Sequence, residues 1–588
     1  MPRTLAGATV ALLLLSSLDT VAQGVGASAG GVGAAGGPGY SATEILPAGT
    51  LISAVSIDIE GVEDPAARAR LMNAVRGALA YEAGASWDPV LGNAALDRVR
   101  GLPGVADAEL RSAPGPGEQG YRLTVQLRVG DAPASTGPLP ARDRRAFPTL
   151  YRAGDGYLKL ELSGGHGVFS DGNPWFGRPD IFTLNNPMAE NPALGADTDG
   201  RSTWTESLLQ AGIAGATRLT DGGWYGFGAV TAIGVASYGE DIFRNDTRSS
   251  LDLEKAYAGI FYAPTGGDLR LKLSVGRQNY SLNTGFLVSQ FGSQWNAGPR
   301  PGVYLAPRTT QDRSVIATAR YADWKGTFFL LDPNELGSIE SDTRLLGLNL
   351  AKATAGRWSW DVTALHVPES KTAYRAPDAI TRSREGLWTA AGHLRMRTRP
   401  DRPGLWFEAE FAHQFHDDFA MSAWAGYAQL GYVARDLPWT PSLSYRYALF
   451  TGDDPETDDY ERFDTLYSGG LDHWLQGISI NKLLTQANRG SHRLRVNVAP
   501  FPELNLTLDL YEHSADERNN LGANPGLATL SSRNLGEEVQ LTARWQVTPR
   551  VFALAIASAA FPGAAIADAA GGRDDPWTTL QFQLFWGF

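Results

Sequence analysis

Cationic side chains recur in this sequence at a spacing of two, and in a β-strand that spacing puts them on one face. His393, Arg395, Arg397 and Arg399 make one row, with Leu394 and Met396 pointing the other way. Arg493, Arg495 and Asn497 make a second against Leu494, Val496 and Val498, and Arg270 with Lys272 makes a third. In the wall of a pore such rows select a polymer by the sign of its charge, through many contacts too weak to trap it. The same rows can instead be one half of cross-strand ion pairs that stiffen the wall. If the chain turns near Pro400 to Gly404, Glu408 comes opposite Arg397 and Glu410 opposite Arg395. Asp509 is the acidic neighbour for Arg493 and Arg495.

Other constellations carry less chemistry. Glu408 and Glu410 face the same way on a strand, whereas glycoside cleavage needs an acid and a base on opposite sides of the sugar bond. His413 and His416, three apart, would point to opposite faces of a strand, and they are expected in a loop. The run Asp453-Asp454-Pro455-Glu456-Thr457-Asp458-Asp459-Tyr460-Glu461 is rich in oxygen but lacks the spacing and glycine of an EF-hand, so it reads as a solvated acidic loop. The glycines at 164–167 and 222–228 feed no helix and fit turns and tight packing, not a phosphate cradle. No Ser/His/Asp order stands out. No catalytic residue, metal or cofactor is expected.

The elements that would position the cationic rows are strands. From about residue 151 the chain repeats ten-residue stretches that alternate at period two, separated by Gly/Asp/Asn/Pro connections. Leu158, Leu160 and Leu162 alternate with Lys159 and Glu161; Leu269, Leu271, Leu273 and Val275 alternate with Arg270, Lys272 and Ser274. Further rows are Leu443, Tyr445, Tyr447 and Leu449, then Leu506, Leu508 and Leu510, then Val539, Leu541, Ala543 and Trp545. Residues 151–588 hold about 18 such strands, which predicts a transmembrane antiparallel β-barrel with an aqueous lumen in place of a side-chain core. The stretch Trp577 to Phe588 sets Leu580, Phe582, Leu584, Trp586 and Phe588 on one face and resembles the C-terminal signal strand of outer-membrane proteins.

Composition is compatible with this. The 588 residues hold no Cys and 67 Gly, which removes disulfide frameworks and thiolate metal sites. A net charge of −12 argues against nucleic acid as a partner. The opening run, Met1-Pro2-Arg3, an apolar stretch through Leu15 and an exit at Thr20-Val21-Ala22, has the layout of a secretory signal over residues 1–22. No later stretch is long and apolar enough for a helical membrane span.

Between Gly- and Ala-rich linkers at 23–50 and 132–150 lies a compact segment, residues 51–131. Val55, Ile57 and Ile59 alternate as a strand. Asp64-Pro65 starts a helix through Leu71, Val75 and Leu79, and Asp88-Pro89 a second through Leu91, Ala95 and Val99. Two strands follow, one with Ala106, Ala108 and Leu110, the other with Leu123, Val125, Leu127 and Val129 alternating with polar residues. With Gly61 after the first strand and 101–105 leading into the second, this β-α-α-β-β order resembles a POTRA domain, the periplasmic module that precedes several outer-membrane barrels.

Within the barrel, four motifs resemble the alginate-export family of outer-membrane channels. They are Val275-Gly276-Arg277-Gln278; Ser444-Tyr445-Arg446-Tyr447 leading into Thr451-Gly452-Asp453-Asp454; Arg462-Phe463-Asp464-Thr465-Leu466-Tyr467; and Leu535-Gly536-Glu537-Glu538. The resemblance implies a channel through which an anionic exopolysaccharide leaves the cell. It adds Arg446 to Arg270, Lys272, Arg395, Arg397, Arg399, Arg493 and Arg495 as pore-lining candidates. The expected partners are an anionic polysaccharide or small anions, outer-membrane lipid, an export partner at residues 51–131 and the barrel-assembly machinery at the last strand. Two rival readings are a polypeptide translocator of the two-partner-secretion type and a general anion porin. The first generally carries Val-Arg-Gly-aromatic on a lumen-directed loop, and the similar string here, Val75-Arg76-Gly77-Ala78, falls in a predicted helix and lacks the aromatic.

Overall fold

The computed structural model describes residues 52–587 except 63, 80–91, 93–94, 97–98, 100–101, 115–120, 130–148, 154–155, 184–199, 265–268, 290–295, 306–308, 354–357, 377, 379, 397–402, 469–473 and 549. The expected signal segment, the linker at 23–50, residues 132–148 of the second linker, Asp88-Pro89, Leu91, Arg397, Arg399 and Phe588 therefore lie outside the described residues, while Thr149 and Leu150, expected to end that second linker, already belong to a strand.

A small α/β unit comes first. Strands β1 (Ile52–Glu60), β2 (Val105–Pro114) and β3 (Tyr121–Val129) form a sheet in the order β1-β3-β2, with β1 parallel and β2 antiparallel to β3. Helix α1 (Pro65–Leu79) begins at Asp64, whose carboxylate accepts the Ala66 and Ala67 amides at 3.0 and 3.1 Å. Val75 and Leu79 of α1 pack with Ala95, Leu96 and Val99 on Ile59, Leu110, Leu123, Val125 and Leu127.

The remaining strands close into a barrel. They are β4 (Thr149–Ala153), β5 (Gly156–Gly172), β6 (Arg201–Thr220), β7 (Trp224–Gly239), β8 (Arg248–Tyr262), β9 (Arg270–Asn279), β10 (Thr310–Tyr321), β11 (Trp324–Pro333), β12 (Arg344–Ala353) and β13 (Trp358–Glu369). After a two-residue pair, β14 (Ala373–Tyr374) and β15 (Arg382–Ser383), the barrel continues through β16 (Leu387–Met396), β17 (Gly404–His416), β18 (Ala423–Val433), β19 (Ser442–Phe450) and β20 (Arg489–Phe501). It ends with β21 (Leu504–Ser514), β22 (Asn534–Thr548), β23 (Val551–Pro562) and β24 (Trp577–Gly587). Among the described residues eighteen long strands, β5–β13 and β16–β24, pair antiparallel with their neighbours. The seam is shared: β24 pairs with β5 from Ser163 to Gly172, and β4 pairs with the stretch from Gly156 to Lys159 that β24 leaves.

The period-two pattern resolves into inward and outward faces. Leu443, Tyr445 and Tyr447 are exposed on the outside of β19 while Ser444, Arg446 and Ala448 are buried inside, and Leu580, Phe582 and Leu584 face out from β24 opposite Thr579, Gln581 and Gln583. This continuous outward apolar band is what a bilayer requires of a barrel wall. No described helix is long and apolar enough to cross a membrane.

Connections differ at the two ends. Ala322-Asp323 and Pro502-Glu503 are tight turns at the end where β5 starts and β24 finishes, whereas the opposite end carries long connections at 280–309, 451–488 and 515–533. The aqueous lumen expected in place of a side-chain core is partly filled by side chains. Residues 282–288 and 460–468 of these connections fold back inside, and Val288 bridges Tyr467 in parallel between them. Phe286, Leu287, Phe463, Leu466 and Trp474 from these connections pack on inward Ala412, Ala425, Tyr427, Ala448 and Phe450. The small inward alanines leave the room that the aromatic side chains occupy. A second cluster, with Trp175, Phe176, Phe243, Val303, Ile480, Leu483 and Trp577, stacks nearer the long-loop end.

Candidate functional site

The inward face of β16–β22 carries the chemistry. Antiparallel register sets one row across seven strands: Arg395, Glu408, Gln429, Arg446, Arg493, Tyr511 and Glu538 are successive partners. A neighbouring row runs Arg270, Arg320, Lys325, Ala351, Asp361, His393, Glu410 and Tyr427. Charge is segregated along them. Arg270, Lys272, Arg320 and Lys325 share the inward face of β9–β11 at the short-turn end, where Lys272 lies 5.5 Å over Phe227 and Arg270 donates to the Gly77 carbonyl of α1 at 3.3 Å.

On β13, β16 and β17 three carboxylates surround one histidine. His393 Nδ1 lies 2.9 Å from Asp361 Oδ2 and its Nε2 3.2 Å from Glu408 Oε1, with Arg395 Nε 3.7 Å from the same oxygen. The sequence expectation paired Glu408 with Arg397 and Glu410 with Arg395; the register instead pairs Glu408 with Arg395 and Glu410 with His393. The register differs by two residues from that expectation, and an even slip keeps every side chain on its face, so the pairing changes while the polarity of the wall does not. His413 and His416, expected in a loop, close β17 on opposite faces: His413 lies tilted against Trp424 with ring centres 3.8 Å apart, and His416 stacks on Phe419 at 4.0 Å.

On β19 and β20 the sign reverses. Arg446, Arg489, Arg493 and Arg495 all point inward, the first three almost completely buried. Arg495 makes a two-pronged pair with Asp509, at 2.7 and 2.9 Å, and Arg493 Nε lies 3.9 Å from the same carboxylate. Arg446 sits 4.3 Å over the Trp474 ring and donates to Gln476 Oε1 at 3.2 Å; Arg489 donates to the Gln476 carbonyl at 2.9 Å and to Asn481 Oδ1 at 2.8 Å. Arg446 and Arg489 are thus covered by Trp474, Gln476 and Asn481 of the connection that follows β19.

Residues 351–576 match the alginate export family. The matched stretch holds the carboxylate cluster, the arginines and the 451–488 connection, so the alginate-export likeness falls on the charged half of this outer-membrane barrel. Similar solved structures include OccD3 (OpdP) of Pseudomonas aeruginosa, 11% identical over 73% of this chain and 91% of that chain, with a TM-score of 0.45. OccAB2 of Acinetobacter baumannii is 10% identical over 73% of this chain and 98% of that one, also at 0.45. A BenF-like porin from Pseudomonas fluorescens Pf-5 is 11% identical, with coverage of 73% and 98% and a TM-score of 0.45. No curated protein matches the chain.

The alginate-export-like motifs sit where the inward connections meet the wall. Gly276 and Gly536 both take φ near the left-handed side, at 121° and 128°, where their strands bulge. Asp464 accepts from Arg384 Nη2 and Tyr374 Oη, both at 2.6 Å, while its backbone exchanges bonds with the Gln414 side chain at 2.7 and 2.9 Å. Glu538 accepts the amides of Ile478, Ser479 and Ile480 at 2.7, 3.1 and 2.9 Å. The sequence reading named Glu538 only as part of a motif, with no role of its own, and did not single out Glu206 or Lys482. For Glu538 a signal exists: it alternates with the outward Val539, Leu541 and Ala543, which makes it an inward carboxylate by parity alone.

Proposed function

We propose that this alginate-export-like channel lets an anionic exopolysaccharide leave the cell through the outer membrane. The observation that carries the reading is the inward set Arg446, Arg489, Arg493 and Arg495 on two adjacent strands of the family-matched wall. Arg270 and Lys272, with Arg320 and Lys325, would receive the polymer at the short-turn end, and Arg446, Arg493 and Arg495 would carry it onward. Arg395, close to Glu408, has the stiffening role of a cross-strand pair. Arg397 and Arg399 would extend that row toward the turn.

Short turns face the periplasm and long loops the exterior in barrels of this kind. With that orientation the β1-β3-β2 unit, POTRA-like in its order of elements, would lie on the periplasmic side. There it would dock a synthesis or transport partner, while β24 would be the strand handed to the barrel-assembly machinery. Val75-Arg76-Gly77-Ala78 lies in α1, away from the lumen-directed loop that a polypeptide translocator of the two-partner type uses, which favours polysaccharide over protein as cargo.

The test is single-channel current in planar bilayers, with and without polyuronate, on the wild type and on Arg446→Ala/Arg493→Ala. Anion-selective current interrupted by the polymer, with shorter interruptions in the variant, supports the reading. Interruption by small anions alone assigns a general anion porin. Cation-selective current indifferent to polyuronate overturns the reading and leaves polypeptide as the cargo to test.

A further inference from the structure

Two inward glutamates at different places on the wall do the same thing. Glu206 of β6 and Glu538 of β22 are both fully buried, and each carboxylate is filled by three consecutive backbone amides of an inward connection. Glu206 takes Val303, Tyr304 and Leu305 at 2.7, 3.0 and 2.7 Å, with Trp204 Nε1 at 2.7 Å. Glu538 takes Ile478, Ser479 and Ile480, and the Ser479 hydroxyl adds bonds to Ser558 at 3.0 Å and Thr579 at 2.8 Å. One connection is thereby tied to β6, the other to β22–β24, and they bond to each other through Tyr467, whose amide donates to Leu287 O at 3.1 Å and whose carbonyl accepts from Ser289 N at 3.0 Å.

Where the two ties approach, a cation is buried between them. Lys482 lies 5.0 Å over Tyr304 and 5.1 Å over Trp577, with Nζ 3.9 Å from Asp171 Oδ2. Neither Lys482 Nζ nor Asp171 Oδ2 has a hydrogen-bond partner among the described residues. An ammonium that is ion-paired at this distance but donates no hydrogen bond still has all three donors to offer a carboxylate. Three consecutive amides are likewise a ready anion site, filled here by a side chain of the same chemistry as a uronate.

We infer that the 296–305 and 474–488 segments form one cargo-released plug, in which uronate carboxylates drawn to Lys482 displace Glu206 and Glu538 from the amides at 303–305 and 478–480. The inference rests on the anionic-polymer reading, but the tie itself can be tested apart from it. Replacing a carboxylate by an amide removes the charge-assisted part of every bond while keeping the shape.

Because the chain has no cysteine, Ser479→Cys gives a single thiol at a fully buried position on the plug. Its reaction with a charged, membrane-impermeant maleimide is measured in proteoliposomes of the full-length protein, with heat-modifiable gel mobility reporting the folded barrel. Oligouronate is expected to raise the rate about tenfold, whereas a neutral dextran of equal length leaves it unchanged. Adding Glu206→Gln/Glu538→Gln is expected to give the fast rate without any sugar. A slow rate in that folded variant overturns the plug mechanism whatever polyuronate does to the current. A fast rate in the variant with no oligouronate response in the parent overturns cargo release; if polyuronate also leaves the current untouched, the anionic-cargo reading falls with it.

Discussion

Arg495 holds Asp509 through two parallel hydrogen bonds across β20 and β21, Nε to Oδ1 at 2.7 Å and Nη2 to Oδ2 at 2.9 Å, with Arg493 and Arg446 on the same wall. The carboxylate therefore does two opposed things: it stabilises a crowded set of guanidinium groups and it subtracts from their field. Asp509→Asn should separate them. Removing one partner of a buried pair costs about 3 kcal/mol, read as a lower urea midpoint for the refolded protein. Anion selectivity, from the reversal potential in a salt gradient, should rise at the same time. A variant that loses stability without gaining anion selectivity would mean that these arginines do not face the ion path.

The wall's two faces predict opposite tolerance for one change at adjacent positions. Leu430 is 51% exposed on the outside of β18, and Gln429, beside it in sequence, is 2% exposed on the inside. Leu430→Arg should cost about 2 to 4 kcal/mol of folding free energy in lipid vesicles, the penalty for a cation near the bilayer midplane. Gln429→Arg should cost less, because the register sets it beside the Glu408 carboxylate on the polar face of the wall. Equal costs would contradict the assigned faces.

The connection between β13 and β16 carries a pH signature. Asp378 accepts from Arg382 at 2.9 and 2.6 Å and from the Ile380 amide at 3.0 Å, and the Arg382 guanidinium, first among these, brings its carboxyl down to about 2. A carboxyl lowered on folding contributes stability above its ordinary value near 3.9 and loses it as pH falls toward about 2. Carbon chemical shifts should put the Asp378 midpoint near pH 2 in the wild type and within the ordinary range in Arg382→Ala. A midpoint that ignores the substitution would exclude the pair as the cause.

Gly536 has φ of 128° immediately before Glu537-Glu538, at a shift in strand register. A side chain there is strained by about 1 to 3 kcal/mol. Gly536→Ala should relax the bulge, withdraw Glu538 from the Ile478–Ile480 amides and make Ser479→Cys reactive, whereas Gly337→Ala in the β11–β12 connection, where an added methyl meets nothing within 4 Å, should leave that thiol slow.

What the sequence by itself determined was which face each strand residue takes. Period-two alternation is local, so Leu443, Tyr445 and Tyr447 could be read as outward and Arg493 and Arg495 as inward without knowing what lies beside them. The Asp64 cap and the buried Val75 and Leu79 of α1 were legible for the same reason. Tertiary structure decided the rest, because it depends on partners far apart in the chain. The register that gives Glu408 to Arg395 turns on where the hairpin closes. The filled lumen turns on Val288 meeting Tyr467 and on Asp464 reaching Gln414. The motifs at Gly276, Asp464 and Glu538 could be recognised in sequence, but their work of holding inward connections to the wall could not. A carboxylate facing a lumen has the same sequence pattern whether its partner is cargo, a cross-strand arginine or three amides arriving from another strand's loop.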